Sequence, residues 1–405
     1  MNPIKDKHIT LGVTGSIACY KAADLASKLT QAGALVDVIL TESATQFIQP
    51  ITFQSVTGRK AYLDADLWGD QGHVKHISIG HETDLVVAAP LTANTMAKLA
   101  HGIADNLFTV TALAATCPLL IAPAMDGGMF SNPATQANLQ TLVERGAVVV
   151  GPEAGHLASG MVGEGRMSEP LTILGQIRHL LAQGGPLAGR KVVVSAGATQ
   201  EPIDPVRYLI NRSSGKQGFA LAQAALDMGG EVVLVCGPNS LPTPTGAERV
   251  DVRTTEEMLA AVEVHITEAD ALLMAAAVAD FRPAQTAEQK IKKGGGVPEL
   301  TLARTPDILK EIGQRKLQSG YPKVLVGFAA ESQDLLANAE KKLKTKNLDL
   351  IAANDISAQD AGFAVDTNKI TLLFASGKRE DLPLISKAEA AEKIVAAVAN
   401  QLGEK

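Results

Sequence analysis

The sequence predicts an α/β protein of two Rossmann-like domains, each a largely parallel sheet flanked by helices. Three observations carry that expectation. Short apolar runs alternate with stretches of helical periodicity along the 405 residues. Hydrophobic residues make up 46% of the chain but aromatic residues only 3%. The cores must therefore be mostly Ala, Val, Ile and Leu, a composition that suits parallel strands covered by helices. Finally, a glycine- and proline-marked linker, Ala182 to Leu187, lies mid-chain in a sequence long enough for two domains. The expected domains are residues 1–186 and 187–405.

The totals exclude several classes of function. Lys and Arg number 37 against 43 Asp and Glu, a net charge of −6, so there is no electrostatic case for a nucleic-acid partner. The start, Met1 to Lys7, is polar and charged, and the first apolar run is too short for a signal peptide. No run reaches membrane-spanning length. Cys19, Cys117 and Cys236 are far apart and show no metal-ligand spacing. They read as small core residues in a reduced, cytoplasmic compartment.

In the first half, Ile9 to Val13 is a short apolar strand. A tight turn through Gly12 to Ala18 leads to a helix over Ala18 to Ala32, and Leu35 to Leu40 is the next strand. Glycines let the backbone approach a ligand, and the helix start offers N–H donors to an anion. The turn is not the dinucleotide fingerprint. It lacks the third glycine, and Glu42 comes too early for a ribose ligand. Leu85 to Ala89, Pro118 to Ala122 and Val148 to Val150 are further strands. Polar loops follow the first two: Pro90-Leu91-Thr92-Ala93-Asn94-Thr95, and Pro123-Ala124-Met125-Asp126. Ligands of open α/β sheets gather at such carboxyl ends. Between the strands, Gly72 to Glu82 carries His73, His76 and His81. A zinc site is conceivable there, though the spacing fits no standard motif. His76 alone reads as structural or as a base, since imidazole titrates near neutrality. The glycine-dense Gly155 to Met167 reads as a mobile loop, either a lid or plain surface.

Leu171 to Leu181 is a helix before the linker. The second half turns on Lys191 to Phe219. A buried strand, Val192 to Ser195, runs to Gly197 and a polar loop broken by two prolines. Asn211-Arg212-Ser213-Ser214-Gly215-Lys216 then opens a helix reaching Met228. Its free N–H groups favour phosphate or carboxylate, with Ser214 a plausible cap. A Walker loop is ruled out, because Gln217 stands where Ser or Thr would hold magnesium. Further strands are Val232 to Cys236, Ala271 to Met274, Val324 to Val326 and Asp349 to Ala353. Thr254 with Glu257 forms a capping box for a helix to about Thr267. Thr305-Pro306-Asp307-Ile308 begins another helix, and Ser386 with Glu389 caps the last. Lys290-Ile291-Lys292-Lys293 beside three glycines is a solvated basic loop or a lid delivering an ammonium to phosphate.

Taken in order, these motifs resemble one family. Gly15-Ser16-Ile17-Ala18, Thr92-Ala93-Asn94-Thr95, Pro123-Ala124-Met125 with Asn132-Pro133-Ala134-Thr135, and Gly165-Arg166-Met167 resemble flavin-dependent cysteine decarboxylases. Asp204-Pro205-Val206-Arg207-Tyr208 and Asn211 to Lys216 resemble the bifunctional branch, the phosphopantothenoylcysteine decarboxylase/phosphopantothenate–cysteine ligases of coenzyme A biosynthesis. The resemblance covers nearly the whole chain. It implies an FMN site at Gly15, Ser16, Ile17, Thr92, Ala93, Asn94 and Thr95, with His76 as catalytic histidine. It implies a CTP site at Met274, Ala275, Ala276, Asp280, Lys290, Pro306, Asp307, Ile308, Phe328, Lys342 and Lys346. Asn211 would stabilise an acyl-cytidylate and Lys290 promote its formation. The implied partners are 4'-phosphopantothenate, L-cysteine and CTP, with Mg2+ held mainly by nucleotide phosphates. The implied assembly is a homo-oligomer of trimeric decarboxylase and dimeric ligase units, often a dodecamer.

The implied chemistry explains the flavin. A simple α-carboxylate cannot leave as CO2, because its electrons have no sink. Oxidising the cysteine CH2–SH to a thioaldehyde creates one, and the enethiol left behind takes hydride back. Two catalytic positions depart from the family pattern. Asp126 stands where Asn commonly holds the substrate carboxylate, and an ionised Asp would repel it unless protonated or turned to donors such as backbone amides. Ser159 stands where many members carry a proton-donating flap cysteine, and a hydroxyl is a far weaker acid than a thiol of pKa about 8.5. Water or another flap group then supplies the proton, or the oxidised enethiol is released. Two other readings stay open: an FMN-binding regulatory protein, and a ligase with a degenerate decarboxylase half.

Overall fold

The computed structural model describes residues 2–68, 75–157, 160, 162–292, 299–331, 334–355 and 367–403. The chain divides into two compact units, residues 2–181 and 182–405.

The first unit runs β1 (His8–Val13), α1 (Cys19–Gln31), β2 (Leu35–Leu40), α2 (Pro50–Thr57), β3 (Ala61–Tyr62), α3 (Lys75–Glu82), β4 (Leu85–Leu91), α4 (Ala93–His101), α5 (Leu107–Ala114), β5 (Leu119–Pro123), α6 (Gly127–Phe130), α7 (Pro133–Glu144) and β6 (Val148–Val149). A hairpin, β7 (Glu153–His156) and β8 (Val162–Arg166), and the helix α8 (Pro170–Ala182) complete it. The sheet order is β3-β2-β1-β4-β5-β6, all parallel. Both faces are buried. Leu11, Val13 and Val87 pack with α1, α2 and α8, while Val86, Ala88 and Ile121 pack with α3, α4, α5 and α7. That period-2 split of uninterrupted apolar runs is the signature of a sheet covered on two sides.

The second unit runs β9 (Lys191–Ala196), β10 (Gln200–Asp204), β11 (Arg207–Ile210), α9 (Lys216–Asp227), β12 (Glu231–Cys236), β13 (Ala247–Asp251), α10 (Thr255–His265), β14 (Ala271–Met274), β15 (Phe281–Pro283), β16 (Leu302–Arg304), α11 (Ile308–Ser319), β17 (Val324–Glu331), α12 (Leu335–Thr345) and β18 (Leu350–Asp355). It ends with β19 (Thr367–Asn368), β20 (Ile370–Phe374), β21 (Arg379–Asp381), β22 (Ile385–Ser386) and α13 (Lys387–Gly403). The main sheet is β13-β12-β9-β14-β17-β18-β20-β21. Its first six strands are parallel, and β20 and β21 add an antiparallel edge. In Lys191–Ala196, Val192, Val194 and Ala196 face α9 and α13, and Val193 faces α10, α11 and α12.

The two sheets share a wiring rule. From β1 the chain steps outward to β2 and β3, then returns to β4 on the other side; β9, β12, β13 and β14 repeat the move. Each sheet therefore has a switch point, between β1 and β4 and between β9 and β14, where a crevice opens at the strand carboxyl ends. The opposite ends are stapled alike. Asp84 accepts from His8 N (2.9 Å) and Lys7 Nζ (2.9 Å). Asp270 accepts from Lys191 N (2.9 Å), Arg190 Nη1 (3.0 Å) and Lys323 Nζ (2.8 Å). Burial alone pushes both carboxyls up, but these cations and amides outweigh it and hold both below the usual carboxylate range.

Several expectations are corrected. The stretch after Gly197, read as a loop, is the hairpin β10–β11, and its two prolines sit within or beside strands on a two-stranded ribbon. The glycine-dense segment read as a loop is the hairpin β7–β8. Ser214 does not cap α9: Gly215 does, in a left-handed conformation (φ 75°), with no side-chain cap bond. The Thr254/Glu257 box and the Ser386–Glu389 bonds form as expected. Cys19 and Cys236 are buried, Cys117 is half-buried, and burial pushes all three thiols up.

Candidate active sites

At the first switch point lies a cavity of about 870 Å3, lined by Gly15 to Ala18 after β1, Thr92 to Thr95 after β4, Ala124 to Asp126 after β5, and part of the β7–β8 hairpin. The Thr14 hydroxyl ties the first two loops together. It donates to Pro90 O (2.7 Å) and accepts from Thr92 N (3.0 Å). Gly15 is needed where it stands, because a Cβ there would lie 2.5 Å from Ser43 Cβ. Helix α1 starts beside it without a side-chain cap and without an acidic residue in its first turn, so its end suits an anion. All seven residues expected to hold FMN line this cavity.

Asp126 lines it too, as the N-cap of α6. Its carboxylate accepts from Gly128 N (3.0 Å) and is thus turned to a backbone donor. The hairpin is pinned at its base. Met125 N donates to Gly165 O (3.0 Å), and the buried Lys21 ammonium donates to Met167 O (2.7 Å) and Glu169 Oε1 (2.9 Å). Lys21 holds the Glu169 carboxyl below its usual range. Lys21, Lys98 and His156 are cavity residues that sequence reasoning did not single out, and Arg166, from the Gly165-Arg166-Met167 motif, lines the cavity with them. Lys21 meets a partner 148 residues away, which no local pattern signals. His76 lies on α3 and is not in the lining, and its buried Nδ1 has no hydrogen-bond partner among the described residues. Ser159 and His73 lie outside the described residues. Among the described residues no three His, Cys, Asp or Glu cluster as metal ligands.

At the second switch point lies a cavity of about 900 Å3. It is lined by Asn211 to Gly218 at the start of α9, Met274 to Phe281 after β14, Arg304 to Leu309 at the start of α11, and residues of β17 and α12. The two loops at its centre are welded like those of the first cavity. Ser195 Oγ accepts from Ala276 N (3.1 Å), Thr199 Oγ1 accepts from Ala279 N (3.0 Å), and Asn211 Nδ2 donates to Val278 O (3.0 Å). Asp307 caps α11 through Lys310 N (3.1 Å) and pairs with Lys346 Nζ (2.9 Å). The described lining holds six cations (Arg212, Lys216, Arg304, Lys342, Lys346 and Lys387) against two carboxylates, Asp280 and Asp307. The first cavity's lining holds three cations against four carboxylates. Among the described residues, only the second lining has the charge to take a polyphosphate.

Asn211 and ten of the eleven residues expected to bind CTP line this cavity. The exception is Lys290, which is exposed and off the lining. Its neighbour Ile291 is gripped by the β10–β11 hairpin: Asp204 Oδ2 accepts from Ile291 N (3.2 Å), and Arg207 Nη2 donates to Ile291 O (3.0 Å). The Arg207 guanidinium also holds the Asp204 carboxyl well below its usual range. Lys293 and the glycines after it lie outside the described residues. Gln217, noted in the sequence only as excluding a Walker loop, lines the cavity with Asn354, Asn368 and Lys387, which the sequence did not mark as site residues. They come from α9, β18, β19 and α13, and only the fold brings them together.

Comparison with known proteins agrees with this division. A family model described as Flavoprotein matches residues 2–182, and one described as DNA/pantothenate metabolism flavoprotein C-terminal domain matches residues 187–402. The coenzyme A biosynthesis bifunctional protein CoaBC of Bacillus subtilis (strain 168) is 44% identical over 99% of this chain and 100% of its own length. The chain belongs to this bifunctional coenzyme A biosynthesis family. The CoaBC protein of Vibrio cholerae serotype O1 is 43% identical over 99% of this chain and 100% of its own. That of Mycobacterium bovis is 43% identical over 97% and 96%. The protein is thus a bifunctional enzyme of coenzyme A biosynthesis, with a flavoprotein decarboxylase unit and a ligase unit. Among the described residues no helix is long and apolar enough to cross a membrane.

Proposed function

We propose that the second unit joins 4'-phosphopantothenate to L-cysteine at the expense of CTP, and that the first decarboxylates the product, 4'-phosphopantothenoylcysteine, to 4'-phosphopantetheine with FMN. The observation that carries this reading is the contrast between the two cavities. One is rich in cations and begins a capless helix, as a triphosphate requires. The other is nearly charge-balanced and offers one such helix end, as a flavin monophosphate requires.

In the ligase cavity, the phosphopantothenate carboxylate attacks the α-phosphate of CTP, pyrophosphate leaves, and the cysteine amine then attacks the acyl-cytidylate. An anion attacks a polyanion, so Lys342, Lys346 and the α9 N-terminus act by offsetting charge. Asn211, fixed through Val278 O, stabilises the mixed anhydride. Mg2+ is carried by the phosphates and water. In the decarboxylase cavity, Gly15 to Ile17 and Thr92 to Thr95 hold FMN. The bound cofactor supplies hydride acceptance and return. Asp126, with its carboxylate turned to Gly128 N, sits at the place for the substrate carboxylate.

We also propose a homo-oligomer in the cytoplasm. His76 and Lys290 lie off the cavities of their own chain, and Ile17, Phe47 and Trp68 leave apolar surface exposed around the first cavity's unit. A second copy would complete both sites. The test supplies phosphopantothenate, cysteine and CTP to the flavin-loaded protein and weighs every product. CMP, pyrophosphate, CO2 and 4'-phosphopantetheine are expected. Absence of CTP-dependent pyrophosphate refutes the ligase reading, and accumulation of undecarboxylated phosphopantothenoylcysteine refutes the decarboxylase reading.

A further inference from the structure

The decarboxylase reading, on which this inference rests, leaves one requirement unmet. Loss of CO2 leaves an enethiolate, N–CH=CH–S−. Returning it to the saturated thiol takes one hydride and one proton on carbon. The hydride goes back to the carbon bearing sulfur, and the proton goes to the carbon bearing nitrogen. At the flap position where many relatives place a cysteine for that proton, this chain has Ser159.

Few cavity residues can give a proton at neutral pH. Lys21 is buried against Met167 O and Glu169, Lys98 is paired with Asp105 (2.8 Å), and Arg166 is paired with Glu169. Ammonium and guanidinium groups are in any case poor acids, and the phenol of Tyr20 is little better. His156 is the one imidazole in the lining among the described residues, and imidazole is the side chain suited to this task. Its side chain is exposed and makes no hydrogen bond to the described residues, which leaves the ring open to the cavity.

Placement supports the same role. His156 ends β7, paired opposite Val162 across the hairpin. The hairpin is pinned over the Asp126 loop by Met125 N to Gly165 O (3.0 Å), and Leu157 reaches to 3.6 Å from where a Cβ on Gly127 would sit. The strand end carrying His156 therefore stands over the loop that receives the substrate carboxylate.

We propose that His156 is the general acid of the reductive half-reaction, in place of the flap cysteine. The imidazolium N–H proton moves to the nitrogen-bearing carbon as the C=C pair forms the new C–H bond and the sulfur lone pair forms C=S. The resulting thioaldehyde takes the hydride at its sulfur-bearing carbon and becomes the thiolate, which is protonated by solvent. The imidazole recovers its proton from solvent through the open cavity. The flavin reduced in the oxidative half is the hydride source, so electrons balance.

The test is an anaerobic single turnover of flavin-loaded protein with 4'-phosphopantothenoylcysteine, read by CO2, product mass and flavin absorbance. Wild type is expected to end with oxidised, yellow flavin and 4'-phosphopantetheine. His156→Asn is expected to release CO2 but leave the flavin bleached, with a product two hydrogens short and recovery of yellow slowed about 100-fold. His156→Cys, which returns a thiol acid to the same strand end, is expected to restore most of the recovery. The proposal is overturned if His156→Asn regains yellow flavin and saturated product at the wild-type rate. It is also overturned if wild type itself releases the oxidised product. Failure of the underlying reading looks different, because no variant, wild type included, then releases CO2.

Discussion

Gly218 is where one methyl group should uncouple the two activities. It is the third residue of α9, whose start lines the ligase cavity, and it packs on the end of β9. A Cβ there would lie 2.5 Å from Ala196 Cβ and 2.8 Å from both Ala196 Cα and Ser195 O. Ordinary carbon–carbon contact is about 3.5–4.0 Å, so helix and strand must part by roughly 1 Å. The neighbours are backbone and a Cβ, which have no rotamer to escape into. Two effects compete. Gly to Ala inside a helix gains about 1 kcal/mol. Forced overpacking costs about 1–3 kcal/mol, at the upper end where nothing can rotate away. The overlap wins, and Gly218→Ala should destabilise the second unit by roughly 2 kcal/mol. For a unit of this size that lowers its melting temperature by about 4–8 °C. The function should suffer more than the fold. A shift near 1 Å in a helix start that positions phosphates costs about 10- to 100-fold in rate. The assay is CTP-dependent pyrophosphate release beside CO2 release from 4'-phosphopantothenoylcysteine, with calorimetry of both units. Wild-type melting and wild-type ligase rate in Gly218→Ala would refute the packing argument. Equal loss of both activities would refute the division of labour between the units.

The remaining predictions use other parts of the molecule. Gly165 adopts φ 146° and a Cβ there would lie 2.2 Å from Met125 O, so Gly165→Ala should loosen the hairpin and lower CO2 release at least 10-fold while the ligase persists. His76→Asn should keep the yellow flavin bound yet release no CO2, and full activity in that variant would remove the histidine from the mechanism. Lys290→Gln should stop acyl-cytidylate from accumulating when cysteine is withheld, checked by mass spectrometry. Asp84 and Asp270 titrate below the unfolded range near 3.9. They stabilise the fold above that pH, and the contribution is lost as pH falls through their lower folded values. Asp270→Asn should therefore lose about 1–3 kcal/mol at pH 7 and show a shallower acid denaturation curve than wild type.

What the sequence disclosed and what it withheld divide along a physical line. Val192 to Ser195 and Ala271 to Met274 were legible as strands because apolar runs bounded by glycine or polar loops have few alternatives. The Thr254/Glu257 box was legible because a cap is a local bond. The β10–β11 and β7–β8 hairpins were not. All of their strands but β11 carry a proline or glycine, and all only partly bury their side chains, so neither hydrophobic period marks them. The edge strand β21 went unread because it is three charged residues, two of them exposed, with no apolar run to mark it. In the sites, residues on loops straight after strands were legible, since the strand end places them. Lys21, Asn368 and Lys387 were not, since the cavity gathers them from segments far apart in the chain.

Those same long-range links bear on how each site becomes complete. Each unit repeats one plan: an Asp staple below the sheet, a switch point above it, and a helix start opening into the crevice. Each also keeps one expected catalytic residue away from its own crevice. His76 is held on α3 with a buried nitrogen that has no partner among the described residues. Lys290 rides on a segment clamped at Ile291 by Asp204 and Arg207, and laid along β10 by Ala287 N to Ile203 O (3.0 Å). A flexible loop could swing its lysine inward, but a segment fastened on both sides of Lys290 cannot without breaking those bonds. The proposed oligomer resolves both cases with one device, in which each copy offers its outlying residue to a neighbour's cavity. Mixing His76→Asn chains with chains carrying a disabled FMN loop should then restore part of the CO2 release that neither has alone, and a mixture as dead as its parts would return both residues to their own chains.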